Sequence, residues 1–154
     1  IDVTSADDML AAVTQVLAST DVFIASAAVA DYRPKFLQSQ KVKKSAEIDS
    51  ISIELVKNPD ILATVAQSSS AVYTVGFAAE TEHLLHHARD KMVRKGIRMI
   101  VANDVSRSDI GFGADQNEVT VLFANQEIEQ QKLEMCDKSQ LARRLVSMIA
   151  DQLL

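Results

Sequence analysis

The sequence predicts an α/β fold: a three-layer, Rossmann-like domain with a mostly parallel sheet and an antiparallel edge hairpin. Three observations carry this expectation. Through the first two thirds of the chain, short β-rich runs alternate with amphipathic segments over short links, the pattern of strand–helix units whose parallel sheet is covered on both sides. Residues 72–77 form a continuous β-rich run of the kind buried on both faces of such a sheet. After Asn103-Asp104 the alternation gives way to two β-rich runs joined by a polar turn, which reads as an edge hairpin.

The elements follow in order. Ser5 is placed to cap a helix over residues 6 to about 17, with Asp7 and Asp8 near the positive end of its dipole. Met9, Val13 and Val16 share its apolar face. A strand at 21–27 passes from β-branched and aromatic residues into the small ones Ala25-Ser26-Ala27, which let other groups approach the backbone. A long polar loop leads to an alternating strand at 51–56. Asn58-Pro59-Asp60 ends it and opens a helix to about residue 67, with Pro59 in its first turn. After a turn at 68–70 comes the 72–77 strand, whose end Gly76 loosens. A helix from 82 to about 95 stops at Gly96, suited to the left-handed C-terminal conformation, and a strand at 98–102 follows. Gly111-Phe112-Gly113 leads to strands at 118–123 and 128–133, turned by Asn125-Gln126. Asp137 is placed to cap a closing helix over 138–154, whose Leu141, Leu145, Met148 and Ile149 make a stripe for core or partner.

Composition narrows the function. The 154 residues, 47% hydrophobic and 24% charged, suffice for a single domain over 1–154 and leave little for a second. A net charge of -5 argues against general nucleic-acid binding. One cysteine, Cys136, excludes an internal disulfide and suits a reducing, cytoplasmic setting. No apolar run is long enough to span a membrane, and the first residues do not resemble a secretion signal. The chain begins at Ile1-Asp2-Val3, as if inside a strand, so it reads as a fragment or processed product.

Chemistry is expected beyond the carboxyl ends of the parallel strands. Four such ends join small or apolar residues to polar groups: Ala25-Ser26-Ala27 through Asp31, Lys57 through Asp60, Gly76 through Glu80, and Ala102-Asn103-Asp104. The helix after Pro59 offers the amides of Asp60, Ile61 and Leu62 to an oxygen-rich ligand, with capping by Asn58 the simpler reading. Phe77 either flanks a base or fills the core. Lys91 and Lys95 share one helix face, reaching phosphates or merely solvating it, with Arg94 and Arg98 adding positive charge. Lys41, Lys43 and Lys44 make a local basic loop fit for a polyanion such as a nucleoside triphosphate, or simply a solvated one. His83 and His87 have i,i+4 spacing, but no carboxylate–histidine motif completes a metal site, and no metal ligands are assigned. A Walker lysine motif, a GxGxxG fingerprint and a GxSxG elbow are all absent, which disfavours a Rossmann-type oxidoreductase.

Taken together, SAAVADYRP, the KVKKS loop, VKNPDIL, VGFAAET, the lysine helix and VANDVS resemble phosphopantothenoylcysteine synthetase, over residues 21–123. This ligase domain is often fused to a flavin-dependent decarboxylase in bacterial coenzyme A biosynthesis. The resemblance implies a CTP-dependent phosphopantothenate–cysteine ligase. It would join 4'-phosphopantothenate to L-cysteine through an acyl-cytidylate, with Mg2+ screening the triphosphate. By motif, Ala25, Ser26, Ala27 and Asp31 would border the nucleotide, with Asp31 bonding base or ribose. Lys41 would be the catalytic loop lysine. Pro59, Asp60, Ile61, Leu62, Phe77, Lys91 and Lys95 match the remaining nucleotide positions, and Asn103 and Asp104 the site mouth. The resemblance also implies a homodimer, with an arm between Arg33 and Val56 crossing to a neighbour. The family's preceding strand, glycine-containing phosphate loop and asparagine of the acyl-cytidylate step have no match here. The chain thus reads as the C-terminal part of the synthetase domain. The alternative is a non-catalytic nucleotide-binding or dimerisation fragment whose activity needs an upstream segment.

Overall fold

Helix α1 (Ala6–Val16) begins where Ser5 Oγ accepts from the Asp8 backbone N–H at 3.1 Å and the Asp8 carboxylate accepts from the Ser5 N–H at 3.1 Å. This reciprocal capping box satisfies two amides that the first turn leaves open. The computed structural model describes residues 1–36, 40–41, 50–69, 71–80, 82–106, 114–125 and 130–154. The remaining elements are β1 (Val22–Ala25), β2 (Tyr32–Pro34), β3 (Leu55–Lys57), α2 (Ile61–Ser68), β4 (Tyr73–Glu80), α3 (Leu84–Lys95), β5 (Met99–Asp104), β6 (Gln116–Phe123), β7 (Gln131–Asp137) and α4 (Lys138–Asp151).

The main sheet has the order β1-β4-β5-β6-β7. β1, β4 and β5 are mutually parallel, β6 runs against them, and β7 turns back into their direction. The sheet is therefore mostly parallel, with β6–β7 as the expected antiparallel edge hairpin. β2 and β3 form a separate two-stranded antiparallel ribbon. Side chains alternate through the sheet and build two cores. Val75, Met99, Val101, Val119 and Val121 pack with Leu141, Leu145 and Ile149 of α4 on one face. On the other, Ala78, Ile100, Ala102 and Leu122 pack with Ala88 and Met92 of α3 and Leu62 of α2. A third cluster seats Met9, Leu10, Val13 and Leu17 against Ile61, Val65 and Val72. The three expected layers are thus α4, the sheet, and the helices α2 and α3 on the opposite face, with α1 packed on α2.

Several local expectations are corrected. Val16 is 45% exposed, and Leu10 and Leu17 instead join Met9 and Val13 as the partly buried residues; the chain tightens into a 3-10 turn at Leu17–Ser19. The expected strand at 51–56 narrows to Leu55–Lys57, and Ile51 and Ile53 are both exposed. Their alternation does not mark a face of the core. Gly76 lies inside β4, between Ala25 and Ile100, instead of loosening a strand end. β7 runs three residues later than expected and carries a bulge: Val119 faces Leu133 while Asn117 faces Cys136. The extra residue on β7 lets Leu133 and Cys136, three positions apart, both turn inward. Asp137 precedes α4, but its side chain makes no cap bond. Gly96 ends α3 in the left-handed conformation at φ 68°, as expected. The Gly111-Phe112-Gly113 loop lies outside the described residues.

Candidate nucleotide site

Short parallel strands ending in small residues leave a hollow at their carboxyl ends, and a cleft of about 690 Å³ fills it. One wall is Ala25-Ser26-Ala27 and the segment to Asp31; the opposite wall is Asn58 through Leu62 at the start of α2. Phe77, Ala78, Ala79 and Asn103 form the strand-end floor, and Lys91 and Lys95 reach in from α3. Of the site residues expected from the motifs, the cleft gathers Ala25, Ser26, Ala27, Asp31, Pro59, Asp60, Ile61, Leu62, Phe77, Lys91 and Lys95. Lys41 is exposed and not among them, while Lys43 and Lys44 lie outside the described residues.

The geometry changes what several of these residues do. Asp60, not Asn58, caps α2: its Oδ1 accepts from the Ala63 N–H at 3.1 Å. The same carboxylate holds Lys95 Nζ at 2.7 and 2.8 Å through its two oxygens. Burial raises the Asp60 carboxyl, but Lys95 and the Ala63 N–H outweigh it and hold the group below its ordinary value. The start of α2 thus carries its own anion. Lys91 Nζ donates to the Phe77 carbonyl at 2.9 Å. Burial, and then repulsion by Lys95, lower the Lys91 ammonium, against the pull of Glu80, Asp31 and Asp60. A half-buried cation is therefore held at the cleft and is poised to gain from an anionic ligand.

Asn58 has a different duty from capping. Its backbone N–H donates to the Asp31 carbonyl at 2.8 Å and its Nδ2 to the Ala30 carbonyl at 2.7 Å, joining the two walls. Asn103 Oδ1 is buried and has no hydrogen-bond partner among the described residues. Asp104 does not line the cleft; its Oδ1 accepts from the Ser106 N–H and hydroxyl at 2.9 and 2.6 Å, closing the end of β5. Asn117 also lines the cleft, and nothing local in the sequence marks it: it precedes by two residues Val119, which the antiparallel β5–β6 register sets opposite Asn103. Phe77 packs against the α4-side core while it also borders the cleft. His83 and His87 stack edge to face at 6.1 Å, and among the described residues no group of three or more His, Cys, Asp or Glu could hold a metal ion. A second hollow of about 930 Å³, between Arg89 and Gly96 of the α3 side and Leu122-Phe123-Ala124, contains none of the expected residues. It lies at the opposite, amino-terminal end of the parallel strands, away from the ligand-binding end of such sheets.

Comparison with known proteins bears on the family and the fold. Coenzyme A biosynthesis bifunctional protein CoaBC of Vibrio cholerae is 44% identical over 154 residues, covering 99% of this chain and 38% of that protein. The Haemophilus influenzae protein of the same name is 42% identical over 153 residues, covering 99% and 37%. The chain therefore spans well under half the length of these curated relatives. A crystal structure of the C-terminal domain of CoaBC superposes with a TM-score of 0.77 at 35% identity, covering 99% of this chain and 65% of that one. Residues 1–153 match the family described as DNA/pantothenate metabolism flavoprotein C-terminal domain, and the chain belongs to that family.

Proposed function

We propose that the chain forms the nucleotide-binding part of a phosphopantothenate–cysteine ligase acting in coenzyme A biosynthesis, with CTP as the activating nucleotide. The observation that carries the reading is the convergence of the expected small-residue wall, helix start and paired lysines on one cleft. Membership of the family and the names of its relatives support a place in coenzyme A biosynthesis, and the motif resemblance suggests the ligase reaction. In this reaction the substrate carboxylate attacks the α-phosphorus of CTP and expels pyrophosphate; the amine of L-cysteine then displaces CMP to form the amide.

Lys91 and Lys95 would meet phosphate charge, with Lys95 exchanging its Asp60 partner for the nucleotide. Asp31 would meet the base or ribose. Lys41 would approach from the loop beyond β2, contacting phosphates or the activated acyl group. No metal-binding cluster exists among the described residues, so Mg2+ enters as the counter-ion of the triphosphate, and no step is routed through it. A second copy of the chain and a fused decarboxylase are the expected partners, the latter from the bifunctional relatives.

The test is calorimetric titration with CTP, followed by mass-spectrometric detection of 4'-phosphopantothenoyl-cysteine after addition of phosphopantothenate and cysteine. CTP binding is the expected result, and product formation, below that of a complete synthetase domain, should fall at least tenfold in Lys41→Gln at unchanged melting temperature. Binding without product would favour the second reading, a non-catalytic nucleotide-binding or dimerisation fragment. That reading is favoured by the 38% share of the relative that the chain covers. No binding would remove both nucleotide readings.

A further inference from the structure

We infer that Arg33 is a positioning residue: acting through Asn58, it sets the spacing of the two cleft walls and the place of Asp31 between them. The inference deepens the nucleotide-binding reading and rests on it for its functional consequence. The need for such a device comes from the first wall. β1 is only four residues long and ends at Ala25, and beyond it the chain leaves the main sheet. Its backbone bonds there include two tight local ones, Ser26 N–H to the Ile24 carbonyl at 3.2 Å and Val29 N–H to the Ala27 carbonyl at 3.1 Å. Neither fixes the segment relative to α2.

Asn58 does, with 2.8 and 2.7 Å bonds to the carbonyls of Asp31 and Ala30. A side-chain amide can face either way, and its direction is set by what surrounds it. Here Arg33 decides: its Nη1 donates to Asn58 Oδ1 at 2.9 Å and to the Lys57 carbonyl at 3.0 Å, while its Nη2 meets Asp7 Oδ2 at 3.2 Å. An inverted amide would set N–H against guanidinium and oxygen against the Ala30 carbonyl, so only one orientation satisfies both neighbours. The planar fork spans two acceptors and a carboxylate at once, which an ammonium point charge does not match. One guanidinium thus ties α1, β3 and the Asn58 amide into a frame that holds the wall carrying Asp31.

The test uses the whole chain, isotopically labelled, with two readouts: solvent exchange of the Asn58 side-chain and backbone N–H protons, and CTP affinity by calorimetry. Arg33→Ala is expected to lose the Asn58 protection and to weaken CTP binding about tenfold, and added methylguanidine to restore both. Asn58→Ala should weaken binding equally, and the double variant no further, because the two residues act as one unit. Asn58→Asp, which keeps the acceptor for Arg33 but loses the donor to Ala30, should weaken binding to the same extent and replaces Arg33→Ala if that variant fails to fold. Lys35→Gln, which breaks the 2.6 Å pair with Glu54 on the same ribbon, should leave CTP affinity unchanged. Retained Asn58 protection in Arg33→Ala, or losses that multiply in the double variant, would overturn the inference. If the unsubstituted chain binds no CTP, the nucleotide reading fails by itself, and the exchange readout still decides whether the clamp exists.

Discussion

Asp60 combines a helix cap and an ion pair in one carboxylate, and the two duties separate experimentally. Its folded-state carboxyl lies below the ordinary 3.8, so the charge contributes stability above that value. The contribution disappears as pH falls through the lowered folded value. Asp60→Asn keeps a capping acceptor and removes the charge. Its melting temperature should fall below that of the parent at neutral pH, and the gap should close in acid below pH 3.8; a gap independent of pH would show that the Lys95 pair contributes nothing. Lys91 has the opposite character. Burial disfavours its charged form, so Lys91→Met is expected to leave the melting temperature equal or higher. The same substitution should weaken CTP binding about tenfold, equivalent to ~1.4 kcal/mol. Melting curves and titrations on one preparation would reveal this opposition of stability and binding. Both lysines were visible from their four-residue spacing. Their partners, Asp60 and the Phe77 carbonyl, belong to other elements, so no local pattern could show them.

At the level of elements, Gly76 of β4 lies directly under side chains of α2 and of the segment before β5. A Cβ on Gly76 would stand 2.7 Å from Leu62 Cδ2 and 2.9 Å from Ile97 Cδ1, both from buried side chains. Gly76→Ala should therefore cost roughly 1–3 kcal/mol through overpacking, measured by urea denaturation, and should weaken CTP binding because Leu62 is also a cleft residue. An unchanged denaturation midpoint would mean that the α2–β4 gap opens freely. The elements most legible in the sequence were those whose burial follows one period, such as α4 with Leu141, Leu145 and Ile149. β7 was displaced because its bulge breaks the two-residue period on which strand reading depends. The strand at 51–56 was overextended for the opposite reason: its alternation is regular, yet Ile51 and Ile53 face outward.

Over the whole molecule, the motif residues other than Lys41 fall on one cleft because the carboxyl ends of successive parallel strands lie side by side, which sequence order reveals. What they could not show was the frame behind those ends, where Arg33, Asn58 and Asp7 come from three separate stretches. The exposed ribbon poses the remaining question of assembly. Tyr32, Phe36, Ile51, Ile53 and Leu55 are between 51% and 69% exposed and lie along the ribbon and its flanks, a concentration of apolar surface that a solvated monomer would not favour. Among the described residues β2 and β3 pair only with each other, over three positions, so the ribbon stands outside the main sheet as an arm would. A second copy of the chain is the occupant that the family resemblance expects. Sedimentation equilibrium should therefore show a dimer, and the pair of substitutions Phe36→Asp and Leu55→Asp should convert it to a monomer while far-ultraviolet circular dichroism stays unchanged. Because both residues lie outside the core clusters, loss of the dimer without loss of fold is the expected result, and a monomeric parent chain would sink the assembly reading.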